Sequence, residues 1–136
     1  MKTITLKFNG YWREVNKGGV PNQSGIYCVY SCIYNASEKT VRLLRLLYIG
    51  ESENVRERLI NHERLQDWQN ALQKVETICY SFAAINENDR ERAEAALIYK
   101  IKPPFNTEHS RQFNYYPTEI IVEGETRFLL TRFTVQ

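Results

Sequence analysis

Two tyrosines, an arginine, a histidine and a glutamate stand out from this chain by type and spacing. Tyr27 closes the tripeptide Gly25-Ile26-Tyr27, and Tyr48 opens Tyr48-Ile49-Gly50. If the segments carrying them pair as a hairpin about residues 35–40, opposed positions sum to 75, which sets Gly25 against Gly50 and Tyr27 against Tyr48. Directly opposed side chains share a sheet face within contact distance. Two phenols would then reach one spot, beside two glycines that leave room for close approach. Arg58 and His62, four residues apart on a following helix, would share a face. A guanidinium there could grip an anion through parallel N–H donors, or simply form a surface ion pair. Alone, His62 is a surface or packing histidine; near a phenol it could accept the phenol's proton. Glu94 heads the helical stripe 94, 97, 98, 101, whose other members are Leu97, Ile98 and Ile101. A carboxylate on a core-facing stripe is costly unless it is paired or coordinates a metal. Its candidate roles are an ion pair with Arg90, a rim position, or a metal ligand.

These residues and their spacing resemble the GIY-YIG nuclease superfamily. The two tripeptides alone are a weak signal. Arg58 and His62, however, come ten and fourteen residues after Tyr48, and Glu94 opens a run to Leu97-Ile98-Tyr99-Lys100, Pro103-Pro104 and Asn106 that is similar to the family's closing segment. The resemblance covers about residues 24–107 and leaves both ends of the chain out. The stretch between the tripeptides is about twice the usual length, which implies a longer hairpin.

The resemblance implies a divalent-metal-dependent DNA endonuclease, a hydrolase that uses water as nucleophile and leaves a 5′-phosphate and a 3′-hydroxyl. Such chemistry needs an activated water, neutralised phosphoryl oxygens and a stabilised leaving oxygen. Glu94 would hold one Mg2+ (or Mn2+) ion completed by water. Arg58 would bind the scissile phosphate, Tyr27 would deprotonate the water with help from His62, and Tyr48 would position phosphate or water. A phenol, with a reference pKa of about 10, is a weak base, so the metal, Arg58 and His62 would each have to favour the phenolate. Gly50 and Asn106 would lie against substrate; alternatively, Asn106 would bond the loop beside the site. Two other readings stand beside this one. A non-catalytic nucleic-acid-binding module would be marked by loss of Glu94 or Arg58, and both are present. An interaction domain would bind a protein partner by strand addition through terminal hairpins.

Positions 27, 48, 58, 62, 94 and 106 need elements that bring them together. Residues 25–34 and 41–50 read as strands joined by the polar connector 35–40. Ser52 reads as the N-cap of a helix over about 53–64, on which solvent-facing Arg56 and Arg64 flank Arg58 and His62. A second helix is expected at 66–74 and a third strand at 76–84. Asn88, with Glu91 three residues later, reads as the capping box of a helix ended by Pro103-Pro104. The expected fold class is α+β, a small antiparallel sheet made of the hairpin plus a third strand and covered by helices. Asn9-Gly10 between alternating segments predicts a terminal hairpin over residues 1–15. Glu119–Val122 and Thr126–Phe133 predict another, and both would seal the sheet of a monomer. All 136 residues are expected to form one domain, with a core at about 24–107 and extensions at 1–17 and 117–135.

Composition bounds these expectations without producing them. A net charge of +2 is too small for an electrostatic footprint of nucleic acid, although eleven arginines against seven lysines suit planar recognition of phosphate. The chain has no apolar run approaching the roughly 20 residues a membrane span needs, and no signal-peptide pattern opens it. Cys28, Cys32 and Cys79 all fall in strand-like segments and read as reduced, partly buried residues of a cytosolic protein. Neither their spacing nor that of the two histidines suggests zinc.

Overall fold

The computed structural model describes residues 1–136 and contains one mixed six-stranded sheet with helices on both faces. The strands are β1 (Lys2–Arg13), β2 (Gly25–Asn35), β3 (Thr40–Ser52), β4 (Thr77–Ala84), β5 (Thr118–Gly124) and β6 (Arg132–Val135), and the helices are α1 (Val55–Ile60), α2 (Leu65–Asn70) and α3 (Glu87–Ile101). A 3-10 helix, Glu14–Gly19, links β1 to β2. Across the sheet the order is β3-β2-β4-β1-β5-β6. All neighbours run antiparallel except β1 and β5, which are parallel. The fold is therefore α+β as expected, but the terminal strands join the hairpin and third strand in one six-stranded sheet that is mixed rather than small and antiparallel.

The N-terminal segment corrects the expected hairpin. Asn9-Gly10 does not turn the chain; β1 continues through it, pairing with β5 over residues 2–8 and with β4 over residues 8–13. Asn9 and Gly10 stay in register opposite Phe82 and Ser81, and a register shift between Gly10 and Trp12 leaves Tyr11 as a bulge just after them. Two non-local partners, each supplying a backbone ladder and a buried face, outweigh the local turn preference. Ile4, Leu6 and Phe8 bury their side chains, while Thr3, Thr5 and Lys7 stay exposed. At the other end, β5 and β6 do pair antiparallel, although β6 begins only at Arg132.

Strand β2 lies inside the sheet and is buried on both faces, which explains a run without polar alternation. One face carries Ile26, Cys28 and Tyr30 against α3, with Leu97 and Ile98 opposite. The other carries Tyr27 and Val29, packed with Leu47, Val55, Leu59 and Trp68 beneath α1 and α2. All three cysteines are buried free thiols. Tyr30 lies in the core, whereas Tyr34 is only half-buried, with the Arg13 guanidinium 3.7 Å from its ring centroid. No helix is long and apolar enough to cross a membrane.

Near the turn, β2 and β3 hold the expected register, with Asn35 opposite Thr40 and Cys32 opposite Leu43. Two irregularities then each add one residue to β3, so Tyr27 faces Gly50, Gly25 faces Ser52, and Val29 faces Tyr48. Because side chains alternate with a period of two, a net slip of two preserves the face. Tyr27 and Tyr48 still share it, but as diagonal neighbours rather than an opposed pair.

The helices are also re-bounded. The α1 helix is capped by Asn54, whose side chain accepts the Glu57 amide at 3.2 Å, and it ends at Ile60 rather than 64. Ser52 instead accepts the Asn54 amide at 3.0 Å. Asn86, not Asn88, caps α3 by accepting the Asp89 amide at 2.9 Å, while its own amide group returns to the Asp89 carboxylate at 3.3 Å. The left-handed Lys102 (φ 55°) ends α3 ahead of the two prolines.

Candidate active site

Tyr27, Tyr48, Arg58, Glu94 and Asn106 line one cleft of about 320 Å3. They arrive from β2, β3, α1, α3 and the segment after α3. His62 stands behind Tyr27, largely buried at 7% exposure, with its ring 4.4 Å from that of Trp68.

Gly50 is required by Tyr27 rather than by substrate. A Cβ at position 50 would lie 2.2 Å from Tyr27 Cζ and 2.3 Å from its Oη, so the phenol ring rests on the glycine backbone. Gly25 likewise yields to protein, since a Cβ there would meet Phe82 at 2.4 Å and the Ala83 carbonyl at 2.5 Å. The space expected for substrate at Gly50 is filled. Tyr48 lies with its ring centroid 6.3 Å from that of Tyr27 and 5.3 Å from that of Trp68.

His62 does not share a helix face with Arg58, because α1 ends before it. The turn instead aims Nε2 at Tyr27 Oη, 2.7 Å away, while Nδ1 accepts the Arg64 amide at 3.0 Å. A backbone amide can only donate, so Nδ1 is unprotonated and a neutral imidazole carries its proton on Nε2. His62 therefore donates to the phenol oxygen. The expected role, accepting the phenol's proton, is reversed. Burial first, and the nearby Arg58 charge second, push the His62 pKa down to about 4, which keeps the ring neutral.

Tyr27 itself is a neutral phenol in the free protein. Burial raises its pKa well above the ordinary value, with Tyr48 and Glu94 acting in the same sense and Arg58 opposing them. Tyr48 is raised too, by burial and then by Glu94. Its neighbour Arg64, expected to face solvent, holds its guanidinium 5.6 Å from the Tyr48 ring centroid and donates to the Phe105 carbonyl at 2.8 Å.

Arg58 presents its guanidinium to Glu63 through two N–H donors, at 2.5 and 2.7 Å. That hydrogen bonding raises the arginine's pKa and brings the Glu63 carboxyl down to about 2. Glu63 was not signalled by the sequence; it simply comes after His62, outside any periodic pattern.

Glu94 is enclosed, with its side chain 15% exposed. Arg90, its anticipated ion-pair partner, is bound instead to the Glu51 carboxylate and, at 2.9 Å, to Ser24 Oγ. The basic group within ion-pair distance of Glu94 is His109, whose Nε2 lies 3.7 Å from Oε1. Burial, and then the charges of Glu51, Glu108 and Glu91, push the Glu94 pKa up to about 8. Such an under-neutralised carboxylate beside others is the setting a divalent cation would relieve. No three His, Cys, Asp or Glu side chains converge into a metal cage. What the residues fit is an open site at Glu94 whose remaining positions are water, as suits a strongly hydrated ion.

Asn106 was open between two roles, and the structure gives it the positional one. The Ile49 amide donates to its Oδ1 at 2.9 Å, and its Nδ2 donates to the Ile49 carbonyl at 2.8 Å. The side chain thus holds the strand segment between Tyr48 and Gly50 from one edge of the cleft. Glu51, Glu63, Arg64 and Glu108 also line the cleft beyond the expected set. Compared with protein-family models, with curated proteins and with solved structures, the chain matches none.

Proposed function

We propose that this chain is a divalent-metal-dependent DNA endonuclease of the GIY-YIG type that its sequence resembles, hydrolysing phosphodiester bonds with water. The observation that carries the reading is the convergence of Tyr27, Tyr48, Arg58 and Glu94, from four separate elements, on one cleft. Two phenols, one guanidinium and one under-neutralised carboxylate supply a proton acceptor, an anion clamp and a cation ligand at one place.

The geometry suggests how these groups divide the work. The phosphate would replace Glu63 as the bidentate partner of Arg58, which then offsets charge on the phosphoryl oxygens as the transition state forms. With Tyr27 Oη accepting from His62 Nε2, the phenol's own proton is free to point away from the imidazole. Loss of that proton to solvent in the cleft would leave a phenolate held by the His62 N–H and by the Arg58 charge, able to take a proton from the attacking water. Tyr48 is placed to hydrogen-bond phosphate or water. Glu94 would hold the Mg2+ or Mn2+ ion, and the bound ion would add Lewis-acid neutralisation of phosphate charge. The resemblance assigns the products as 5′-phosphate and 3′-hydroxyl.

One cleft can attack one strand at a time, so a monomer is expected to nick. Supercoiled plasmid incubated with Mg2+ or Mn2+ should become open circle before linear DNA appears. EDTA should stop the reaction, and Glu94→Gln should abolish it. Plasmid left intact with both ions, or full cleavage by Glu94→Gln, would sink the reading.

A further inference from the structure

Glu94 and His109 stand side by side, Oε1 and Nε2 3.7 Å apart, with side chains only 15% and 27% exposed. The separation exceeds hydrogen-bond length. The histidine lies outside the segment that resembles a nuclease, and the proposed mechanism gives it no part.

Its placement is held from both sides. Lys102 Nζ donates to the Ser110 carbonyl at 2.5 Å, Ser110 Oγ donates to the Thr107 carbonyl at 3.3 Å, and Asn106 is tied to Ile49. Between these anchors the backbone of His109 takes φ 62°, in the left-handed region. Histidine is among the few side-chain-bearing residues enriched there. Two ligands of one ion, each at about 2.1 Å and at right angles, stand about 3 Å apart. The observed pair is therefore within an ångström of sharing an ion.

We propose that His109 is a second protein ligand, with Glu94, for the divalent ion, giving an oxygen–nitrogen set that favours Mn2+ over Mg2+. The proposal rests on the reading of Glu94 as the ligand. Carboxylate and water suit Mg2+, whereas an imidazole nitrogen is a softer donor, better matched to transition-metal ions. The contrasting role is that of a plain counter-charge, a protonated His109 facing an ionised Glu94. The two roles predict opposite signs. A counter-charge competes with the ion, so its removal strengthens metal binding; a ligand's removal weakens it.

The test is metal binding without DNA, with Mn2+ monitored by loss of the free-ion electron paramagnetic resonance signal and Mg2+ by competition. The unsubstituted protein should bind Mn2+ at least tenfold more tightly than Mg2+. His109→Gly, free of strain at positive φ, should weaken Mn2+ binding by about tenfold or more, at least the loss typical of removing an outer-shell partner. Mg2+ should be affected less. In His109→Asn, whose side chain tolerates the same backbone, the Mn2+ preference should also fall, which covers a folding defect in the glycine variant. Unchanged or tighter Mn2+ binding in both variants overturns His109 as a ligand. Undiminished binding of both ions by Glu94→Gln overturns the reading of Glu94 beneath it.

Discussion

Arg58 and Glu63 form a two-point pair at 2.5 and 2.7 Å inside the cleft, so a carboxylate occupies the guanidinium fork to which the proposed function assigns a phosphate. The Glu63 side chain is 65% exposed, and its release into solvent is unobstructed.

Glu63→Gln should therefore tighten DNA binding, because phosphate no longer displaces a charged competitor. An exposed pair is worth about 0.2–1 kcal/mol, so the gain should be at most about fivefold. Fluorescence anisotropy with labelled duplex in EDTA would measure it. Weaker binding would mean instead that Glu63 orients Arg58 for its substrate.

Tyr27→Phe keeps the ring on Gly50 and removes the oxygen. Turnover should fall by about 10² to 10⁴, the range for losing a general base, with melting little changed. His62→Ala should move the ascending limb of the rate–pH profile upward, since the phenolate loses its donor. Because His62 stays neutral down to about pH 4, no activity limb between pH 5 and 7 should belong to it. If Tyr48→Phe is the more damaging substitution, the two phenols have exchanged roles.

Glu94 makes metal-free stability depend on pH in a fixed direction. Its folded pKa of about 8 lies above its ordinary 4.5, so its contribution is complete below about 4.5 and is lost as pH rises through 8. His62 acts in the opposite sense, its contribution complete above its ordinary 6.5 and lost as pH falls toward 4. Between pH 6.5 and 8 the carboxylate dominates, with a slope of up to about 1.4 kcal/mol per pH unit. Denaturant midpoints in EDTA should fall across that window, and Glu94→Gln should flatten the slope and be the more stable protein at pH 8. Equal slopes in the two proteins would show that Glu94 is not the titrating group.

Gly50→Ala would drive a methyl group into the Tyr27 ring. Overpacking of this kind costs about 1–3 kcal/mol, read as a lower denaturant midpoint at unchanged slope. Cleavage should fall as well, because the phenol must move. Full activity with native stability would mean that the ring does not rest on the glycine backbone.

The shared face of Tyr27 and Tyr48 was legible in the sequence because the two irregularities between them slip the register by an even number. Their opposition was not, since Leu44 and Leu47 look like ordinary strand residues and nothing local marks a bulge. The α3 cap was ambiguous for a different reason. Asn86 and Asn88 each precede an acidic residue by three, Asp89 and Glu91, so one pattern fits two registers. Asn9-Gly10 misled because a two-residue turn signal cannot report its distant antiparallel partners, Phe82 and Ser81 on β4. Glu63 reaches the cleft from the turn after α1, and His109 reaches Glu94 from a loop, and at neither place does a periodicity aim the side chain.

Asn106 has a consequence for assembly. Strand β3 forms one margin of the sheet, and its outward Ile49 amide and carbonyl are both consumed by the Asn106 side chain, while the Leu47 carbonyl accepts the Phe105 amide at 3.0 Å. A side-chain amide thereby imitates one residue of a neighbouring strand and blunts a margin that would otherwise template edge-to-edge aggregation. The four-residue β6 forms the opposite margin. Any growth of this sheet by strand addition is thereby steered to β6, away from the strand that carries Tyr48.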